Sequence, residues 1–343
     1  MLARFYSHSA LTHGRLFLAL VLLGLLAAAG YAAWYLTTPV RIATLPVEFE
    51  IPAGSGLRAA VRRMEQAGIG MRPLQFELLA RALGREPEIK AGYYQVTTAA
   101  TPLALLDKLA RGDVMQAELQ MIEGSTFIQL RAALDASPVL RHDTAGLSDA
   151  ELLERAGAGE RHAEGLFFPD TYVFDRGSSD LAVLRHAYRV MQAHLAQDWE
   201  QRSAEVPYRT PYEALIMASI VEKETGKAEE RDQIAGVLVN RLRIRMALQA
   251  DPTVIYGLGE SFDGNLKKVH LKADGPYNTY TRRGLPPTPI ALPGRASLRA
   301  ALRPAQTKAL YYVSRGDGSS QFSRTLQEHN RAVSQYQLKP RRR

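Results

Sequence analysis

A long apolar run near the start of the sequence limits what this chain can fold into. The 21 residues at 16–36 (LFLALVLLGLLAAAGYAAWYL) include no charged side chain. A helix of this length rises about 30 Å, the thickness of the hydrocarbon core of a bilayer. Because a helix satisfies its backbone polar groups internally, we expect a single transmembrane helix over 16–36.

A cleaved signal peptide is the competing interpretation of this run, since small residues at 27–29 and 31–33 resemble a cleavage site. Its apolar core would normally be only about 7–15 residues long, so the length favours an uncleaved anchor. Arg4 and Arg15 precede the run and Arg41 follows it, which slightly favours an inside N-terminus. We therefore predict a cytoplasmic segment at 1–15, with the bulk of the chain facing outward.

The composition limits the partners and cofactors that this chain is expected to bind. At 343 residues and 46% hydrophobic content, the chain is long enough for two soluble domains beside the membrane helix. The net charge of +8 suits anionic partners, namely nucleic acid, an anionic membrane surface or the cell-wall polymer. The basic tail at 339–343 carries part of that charge and is interpreted as a solvated end. The sequence has no cysteine and no close histidine pair, so we predict neither a metal site nor a cofactor.

The segment after the membrane helix has the pattern of a small mixed subdomain. Residues 47–51 alternate like a half-buried strand, and 90–96 return as a second strand. Helices are predicted between them near 56–66, with Ser55 as N-cap, and at 73–83. This βααβ order is about the size of a LysM carbohydrate-binding module. We predict a LysM-like region at 44–118, a connecting region at 119–160 and a catalytic domain at 161–338.

A helix with two glutamates near its end is the main chemical feature of the third region. Residues 210–213 (TPYE) resemble a capping box, and the apolar residues that follow predict a buried core helix. Polarity changes abruptly at Glu222 and Glu224, and Gly226 is predicted to take the left-handed conformation that ends a helix. Both the helix dipole and apolar surroundings would raise the pKa of a carboxyl group there.

Only one of the two glutamates can face a given cleft, because residues two apart on a helix point roughly 200° from each other. Glu224 is nearer the helix end, so we favour it as a general acid. A solvent-exposed role, or an ion pair with Lys223, Lys227 or Arg231, is the alternative. Three later stretches, 251–257, 276–280 and 284–290, are dense in Pro, Gly, Asn and Tyr. We predict ordered loops there rather than regular elements.

Several motifs occur in an order that resembles the MltG/YceG-like endolytic murein transglycosylases. They are ASIVEKET at 218–225, VNRL at 239–242, LQ at 248–249, DPTVIYG at 251–257, YNTY at 277–280, GLPP at 284–287, EG at 164–165, FPDTY at 168–172 and EHN at 328–330. The resemblance implies an α+β fold with a single N-terminal transmembrane helix, a small LysM-like βααβ subdomain and a mixed helical and loop-rich catalytic domain. It also implies a single-pass protein of the inner membrane whose catalytic domain faces the periplasm.

The resemblance also implies an activity and a set of site residues. Such enzymes cut the glycan between N-acetylmuramic acid and N-acetylglucosamine, leave 1,6-anhydro ends and terminate glycan elongation. A catalytic glutamate before a hydroxyl residue corresponds to Glu224-Thr225. The expected supporting residues contact the sugar or hold the loops, and they are Glu222, Ser219, Asn240, Gln249, Asp251, Tyr277, Asn278 and Tyr280. The sequence departs from the family pattern at Gln321, where a histidine is common.

The implied partners are peptidoglycan glycan strands and penicillin-binding synthases. A catalytically silent, membrane-anchored scaffold that binds peptidoglycan is the first alternative to an enzyme. It would leave Glu224 on an open surface rather than in a cleft. A nucleic-acid binder ranks last, because the basic residues are dispersed and no nucleic-acid motif is present.

Overall fold

The computed structural model describes residues 5–85 and 89–338, with the side chains of 14–85 and 89–337. The predicted basic tail at 339–343 lies outside these residues, as do the first four residues of the predicted cytoplasmic segment at 1–15. The described chain is mixed α+β, which confirms the predicted fold class at this level.

Helix α1 (Phe5–Thr37) contains the apolar run and begins well before residue 16. Within it, Gly14–Thr37 has a mean hydropathy of 2.3. Side chains along this stretch are exposed, Leu18 for example by 68%. Among the described residues, α1 is the one helix long and apolar enough to cross a membrane, so it fits a membrane anchor.

The chain divides into two compact units, of which the first comprises Met1–Ala117 and Asp175–Gly177. After α1 its elements are β1 (Arg41–Ile42), β2 (Val47–Ile51), α2 (Leu57–Gln66), β3 (Ile69–Gly70), α3 (Pro73–Ala82), β4 (Gly92–Val96) and α4 (Pro102–Arg111). Strand β2 pairs antiparallel with β4, and β1 pairs with β3. The predicted strand–helix–helix–strand order is present, with β3 as an additional short strand.

The core of this unit follows from the alternation in β2, which buries Val47, Phe49 and Ile51. Phe49 lies opposite Tyr94 on β4, and the two rings stack. One predicted detail is wrong, because the N-cap of α2 is Gly56 and not Ser55. The Ser55 amide instead donates to the Pro52 carbonyl in the preceding turn, so Ser55 lies one residue too early to cap the helix.

The second unit comprises Glu118–Phe174 and Ser178–Arg343. Its short strands pair as β5 with β6 and β7 with β8. In chain order the elements are β5 (Gln116–Gln120), α5 (Phe127–Asp135), α6 (Asp149–Ala156), β6 (Thr171–Asp175), α7 (Asp180–Glu200), α8 (Pro211–Glu224), α9 (Arg231–Arg243), α10 (Asp251–Leu258), α11 (Lys268–Lys272), α12 (Arg295–Leu302), β7 (Tyr311–Ser314), β8 (Ser320–Ser323) and α13 (Leu326–Val333).

Helix α8 lies at the centre of this unit. Its eight consecutive residues 214–221 are all buried, as expected for a helix that is apolar on nearly every face. It packs against α7, α9, α10 and α12. The predicted connecting region at 119–160 contains α5 and α6, whose residues Leu130 and Leu152 join the same core. The end of α8 is therefore held by several neighbouring elements at once.

Candidate active site

The N-terminus of α8 forms largely as its sequence predicts. The Thr210 hydroxyl accepts a hydrogen bond from the Glu213 amide at 3.2 Å, and Pro211 occupies the first helical position. The Glu213 carboxylate accepts from the Arg209 amide at 2.6 Å, one residue before the position of a standard capping box. These bonds fix where the helix begins, and hence which residues reach its far end.

The C-terminus of α8 differs from the prediction for Gly226. The helix ends because Thr225 is extended, with φ −83° and ψ 108°, and Gly226 is not among the glycines with positive φ. The Thr225 amide and hydroxyl both donate to the Val221 carbonyl, at 3.0 and 2.7 Å, so Thr225 closes the last turn of the helix. Glu224 is therefore the last residue of the helix.

The Glu224 carboxyl group is half-buried and has one close partner. The Tyr312 hydroxyl on β7 donates to its Oε2 at 2.8 Å. Burial raises the pKa of Glu224 to about 7, the Tyr312 hydrogen bond lowers it, Asp251 raises it and Arg241 lowers it. Near neutral pH the group therefore exists in both protonated and charged forms, as a residue that both gives and takes a proton requires.

Glu224 lies in a cavity of about 350 Å³. Most of the cavity lining is polar or aromatic, and it comes from α8, α9, α10, α13, β7 and the loops before them. The lining residues are Glu224, Arg241, Gln249, Asp251, Tyr280, Tyr311, Tyr312, Leu326 and His329. Four of the predicted site residues are thus brought together here, namely Glu224, Gln249, Asp251 and Tyr280.

Asp251 and Tyr280 form one side of the cavity as a pair. The Tyr280 hydroxyl donates to Asp251 Oδ1 at 2.5 Å. Asp251 is the first residue of α10, where the helix dipole stabilises a negative charge. Burial, followed by the bond to Asp251, raises the pKa of Tyr280 above its usual value, so the phenol stays protonated as a donor.

The segment around Asp251 was predicted to be a loop, and this is wrong, because α10 is a helix over Asp251–Leu258. Pro252 does not interrupt it, since a proline in the first turn removes only an amide that has no partner within the helix. The Thr253 hydroxyl donates to the Ala250 carbonyl at 2.7 Å, and the Ala250 amide donates to the Thr279 hydroxyl at 3.0 Å. The density of Pro, Gly and Tyr predicts a loop, although these residues also fit a short helix.

Gln249 has an unusual backbone, with φ of 51°, which is uncommon for a residue other than glycine. Its amide donates to the Thr279 carbonyl at 3.1 Å, which ties it to the 276–280 loop. Such strained residues persist where the surrounding structure holds them and are concentrated at functional sites. Here the strained residue lines the cavity that contains Glu224.

Arg241 connects two sides of the cavity. Its Nε donates to the Leu310 carbonyl at 2.7 Å and its Nη1 to the Leu248 carbonyl at 2.6 Å. The guanidinium also lies over the Tyr311 ring, 5.4 Å from its centroid. Burial lowers the pKa of Arg241, but arginine stays charged in proteins. The cation also acts on the Glu224 carboxyl group, whose pKa it lowers.

The structure places Glu222 and Ser219 away from this cavity. Glu222 Oε2 accepts a hydrogen bond from the Gly294 amide at 3.0 Å. The fully buried Ser219 hydroxyl donates to the Ile216 carbonyl at 2.7 Å and accepts from the Ile290 amide at 3.0 Å. Both side chains hold the 290–294 segment against α8.

Three further predicted site residues do not line the cavity and instead form hydrogen bonds with neighbouring loops. Asn240 Nδ2 donates to the carbonyls of Thr307 and Ala309 at 2.8 and 3.1 Å. The Tyr277 hydroxyl bonds to that of Thr288 at 2.8 Å. Asn278 donates to the carbonyls of 270, 271 and 273, and its Oδ1 accepts from the Tyr280 amide at 2.9 Å. These residues shape the loops that carry the lining residues.

Sequence reasoning missed five lining residues, namely Arg241, Tyr311, Tyr312, Leu326 and His329. Arg241 and His329 stand inside motifs that were recognised, and His329 stacks on Tyr311 with centroids 5.2 Å apart. Gln321, which replaces the common histidine, is not among the lining residues. It accepts from Arg315 Nη2 at 2.5 Å and donates to the Phe322 carbonyl at 3.0 Å.

A half-buried carboxyl group with a raised pKa, in a polar cavity at the end of a core helix, is the arrangement expected of a general acid/base site. Comparisons with known proteins agree with this class. A model of the YceG-like family matches residues 49–335. The chain therefore belongs to the YceG-like family, which confirms the resemblance seen in its motifs.

Individual relatives support the same assignment. An endolytic murein transglycosylase of Bacillus subtilis (strain 168) is 30% identical over 307 residues, which cover 84% of each chain. An endolytic murein transglycosylase of Streptococcus pneumoniae (serotype 2, strain D39) is 27% identical over 359 residues, covering 92% of this chain and 64% of that protein. The crystal structure of a YceG-like protein from Listeria monocytogenes has a TM-score of 0.53 and 29% identity, and covers 83% of this chain and 98% of that chain.

Proposed function

We propose that this chain is an endolytic lytic transglycosylase that cleaves the glycan strands of peptidoglycan, with Glu224 as its single acid/base. The observation that carries the proposal is the position of Glu224 in a polar cavity, with a pKa of about 7 and a hydrogen bond from Tyr312. The names of the relatives from Bacillus subtilis and Streptococcus pneumoniae support the substrate class.

The proposed reaction needs one group that gives a proton and then takes one. Protonated Glu224 donates to the O4 of N-acetylglucosamine as the bond from that oxygen to C1 of N-acetylmuramic acid breaks. The resulting carboxylate accepts the proton from the muramoyl O6 as that oxygen forms a bond to C1. Glu224 ends the cycle protonated, and no water is consumed. The products carry a 1,6-anhydro end and a free O4 hydroxyl.

Asp251 has a separate role in this proposal. Positive charge develops at C1 in the transition state, and a fixed carboxylate in the same cavity stabilises it. The bond from Tyr280 holds Asp251 in place at the start of α10. Gln249 and His329 offer hydrogen-bonding groups to the sugar, and the ring of Tyr311 offers a stacking face. Glu222, Ser219, Asn240, Tyr277 and Asn278 act by holding the surrounding segments.

The cellular setting belongs to the same proposal. Helix α1 anchors the chain in the inner membrane with the residues after Thr37 on the periplasmic side, and the βααβ part of the first unit acts as a LysM-like module. Cleavage of nascent strands terminates their elongation, in association with penicillin-binding synthases. A catalytically silent scaffold would place Glu224 on open surface, whereas the residue lines a cavity, which supports the enzyme.

The central test is the substitution Glu224→Gln. It keeps the shape of the side chain but removes the titrating proton, so we expect glycan cleavage to fall by roughly 10²–10⁴-fold. Mass spectrometry of the products from purified glycan strands measures both the rate and the ends formed. Products of the unmodified enzyme should carry 1,6-anhydro ends.

Glu222→Gln is the matched control, because Glu222 belongs to the same helical turn but faces Gly294. It should cost far less activity. An inactive Glu222→Gln beside an active Glu224→Gln would reverse the choice of acid. Reducing ends in the products would show that water attacks C1, which would make the enzyme a hydrolase.

A further inference from the structure

The first unit exposes apolar side chains on one face of α3. Among its described residues outside α1, four leucines are the large apolar side chains that are most exposed, at 46% for Leu45, 70% for Leu74, 57% for Leu78 and 47% for Leu83. Leu74 and Leu78 lie four residues apart and therefore share one face of the helix. The opposite face buries Phe76 and Ala80 in the core. Helix α3 is thus amphipathic, with an uncovered apolar face.

Helix α3 is bonded to the membrane-type helix α1. Gln75 Nε2 donates to the Tyr31 hydroxyl at 2.5 Å, and Arg72 Nη1 donates to the same oxygen at 3.3 Å. Tyr31 belongs to the apolar stretch Gly14–Thr37 and lies six residues before its end. At 1.5 Å per residue, that is about 9 Å along the helix axis.

The length of the apolar stretch gives the depth of the contact between Tyr31 and α3 in a bilayer. The 24 residues of Gly14–Thr37 rise about 36 Å, a little more than the roughly 30 Å of a hydrocarbon core. With the stretch centred on the bilayer, the Tyr31 backbone therefore falls about 6 Å inside the hydrocarbon boundary, from where the phenol can reach toward the interface that tyrosines favour. Arg72 and Gln75, at the N-terminus of α3, both donate to the Tyr31 hydroxyl, so this end of α3 lies at the same depth in the bilayer.

The leucine face adjoins the face that meets α1. Gln75 and Leu78 are three residues apart, so their side chains are neighbours on the helix surface. Arg72 directly precedes the helix and Arg81 lies in its last turn. An amphipathic helix with leucines on one face and arginines at its ends is typical of a segment that lies in the plane of the membrane interface. The arginine stems can extend toward headgroups while the leucines stay in lipid.

We propose that α3 lies in the outer interface of the membrane beside α1, with Leu74 and Leu78 in contact with lipid acyl chains and Arg72 and Arg81 near anionic headgroups. This rests on the proposed membrane anchor. The chain then meets the bilayer at two places, and the first unit is held against the membrane surface rather than suspended from α1 alone. We favour lipid as the partner of the Leu74 and Leu78 face because that face lies beside Gln75, which is bonded to Tyr31 in the apolar stretch Gly14–Thr37.

The absence of cysteine from the sequence makes a direct test possible. The full chain carries one introduced cysteine, labelled with an environment-sensitive fluorophore, in liposomes of phosphatidylethanolamine and phosphatidylglycerol. Leu74→Cys and Leu78→Cys report on α3. Ala53→Cys, in the exposed turn before α2, is the aqueous control, and Leu23→Cys reports on the span itself. Each is quenched in turn by a nitroxide-labelled lipid and by iodide in water.

The labels at 74 and 78 should be quenched by the nitroxide lipid at least about twofold more than the label at 53, and less by iodide. Quenching at 78 equal to that at 53 overturns the proposal. Resistance to both quenchers also overturns it, because protein would then cover the face. If the nitroxide lipid does not quench a label at 23, α1 does not span the bilayer, and the proposal for α3 fails as well. Glycan cleavage by the same liposomes tests the proposed activity separately.

Discussion

The acidity of Glu224 results from opposing contacts around one carboxyl group. Burial raises its pKa to about 7, while the hydrogen bond from Tyr312 stabilises the charged form and limits the rise. If the protonated form starts the reaction, kcat/KM should decline as pH rises through this pKa. Loss of the Tyr312 hydroxyl should raise the pKa further and move that decline to higher pH.

The pH profile of Tyr312→Phe tests this coupling. We expect the alkaline limb of kcat/KM to shift upward by roughly one pH unit, alongside a reduced maximum rate. Tyr311→Phe is the control, because it keeps the ring that packs on Arg241 and His329. An unchanged alkaline limb in Tyr312→Phe would mean that this bond does not control the acid.

At the residue scale, the sequence could predict the position of Glu224 at the end of a core helix because the argument is local. A core helix with an abrupt polar end and a single favoured carboxylate can be recognised from consecutive residues. Tyr312 could not be predicted in this way, since it is 88 positions away from Glu224 and meets it only through the fold. Asn240 and Arg241 show the same limit, because adjacent polar residues of one motif turn out to face different surroundings.

At the element scale, Glu164 joins two helices inside the core. Its Oε1 accepts from the Phe127 amide at the start of α5 at 3.0 Å, and its Oε2 accepts from the Tyr256 hydroxyl on α10 at 3.1 Å. Burial raises the pKa of Glu164 to about 7. Since α10 also carries Asp251, this buried carboxyl group helps to fix one side of the cavity.

The raised pKa predicts how Glu164 affects stability. Between about pH 4.5 and 7 the folded chain binds this proton more tightly than the unfolded chain does, so the free energy of unfolding decreases as pH rises. In Glu164→Gln this decrease is absent. Relative to the unmodified chain, the variant should therefore gain up to roughly 3 kcal/mol between pH 5 and 8.

Urea unfolding at the two pH values measures the effect of Glu164→Gln, and Glu200→Gln at the exposed end of α7 is the matched control. A difference between variant and unmodified chain that stays constant with pH would show that Glu164 does not titrate in this range.

Helix α10 shows the limit of predicting secondary-structure elements from this sequence. Proline and glycine density indicates a turn-rich segment, but a first-turn proline is equally compatible with a short helix.

At the scale of the whole molecule, the order of regions could be predicted better than their contacts. The alternation at 47–51 and the run at 16–36 are properties of consecutive residues, and both elements form. The pairing of β2 with β4 follows once both strands are recognised. The cavity could not be predicted in the same way, because it gathers residues from five helices and strands and two loops that are far apart in sequence.

Orientation in the membrane is tested by reporters fused after Arg343. A reporter that is active only outside the cytoplasm should be active there, because the charge asymmetry around the apolar run favours an inside N-terminus. A cytoplasm-only reporter is the paired control. Activity of the latter alone would contradict both the topology and access to the proposed substrate.

The role of the first unit is tested by deleting residues 47–96 from the full chain. If this βααβ segment is LysM-like, the variant should sediment less with insoluble wall material. Circular dichroism should show that the second unit, which has its own core, remains folded. Equal sedimentation would assign recognition of the wall to the second unit.

The two hydrogen bonds of Arg241 have a consequence for ligand binding. A guanidinium is planar and holds its donors at fixed separations, so the Leu248 and Leu310 carbonyls are kept at one distance from each other. These carbonyls precede the segments that carry Asp251 and Tyr312, so the width of the cavity between them is set before any sugar arrives. The loss of conformational entropy needed to order these two walls thus occurs during folding and is not repeated at each binding event.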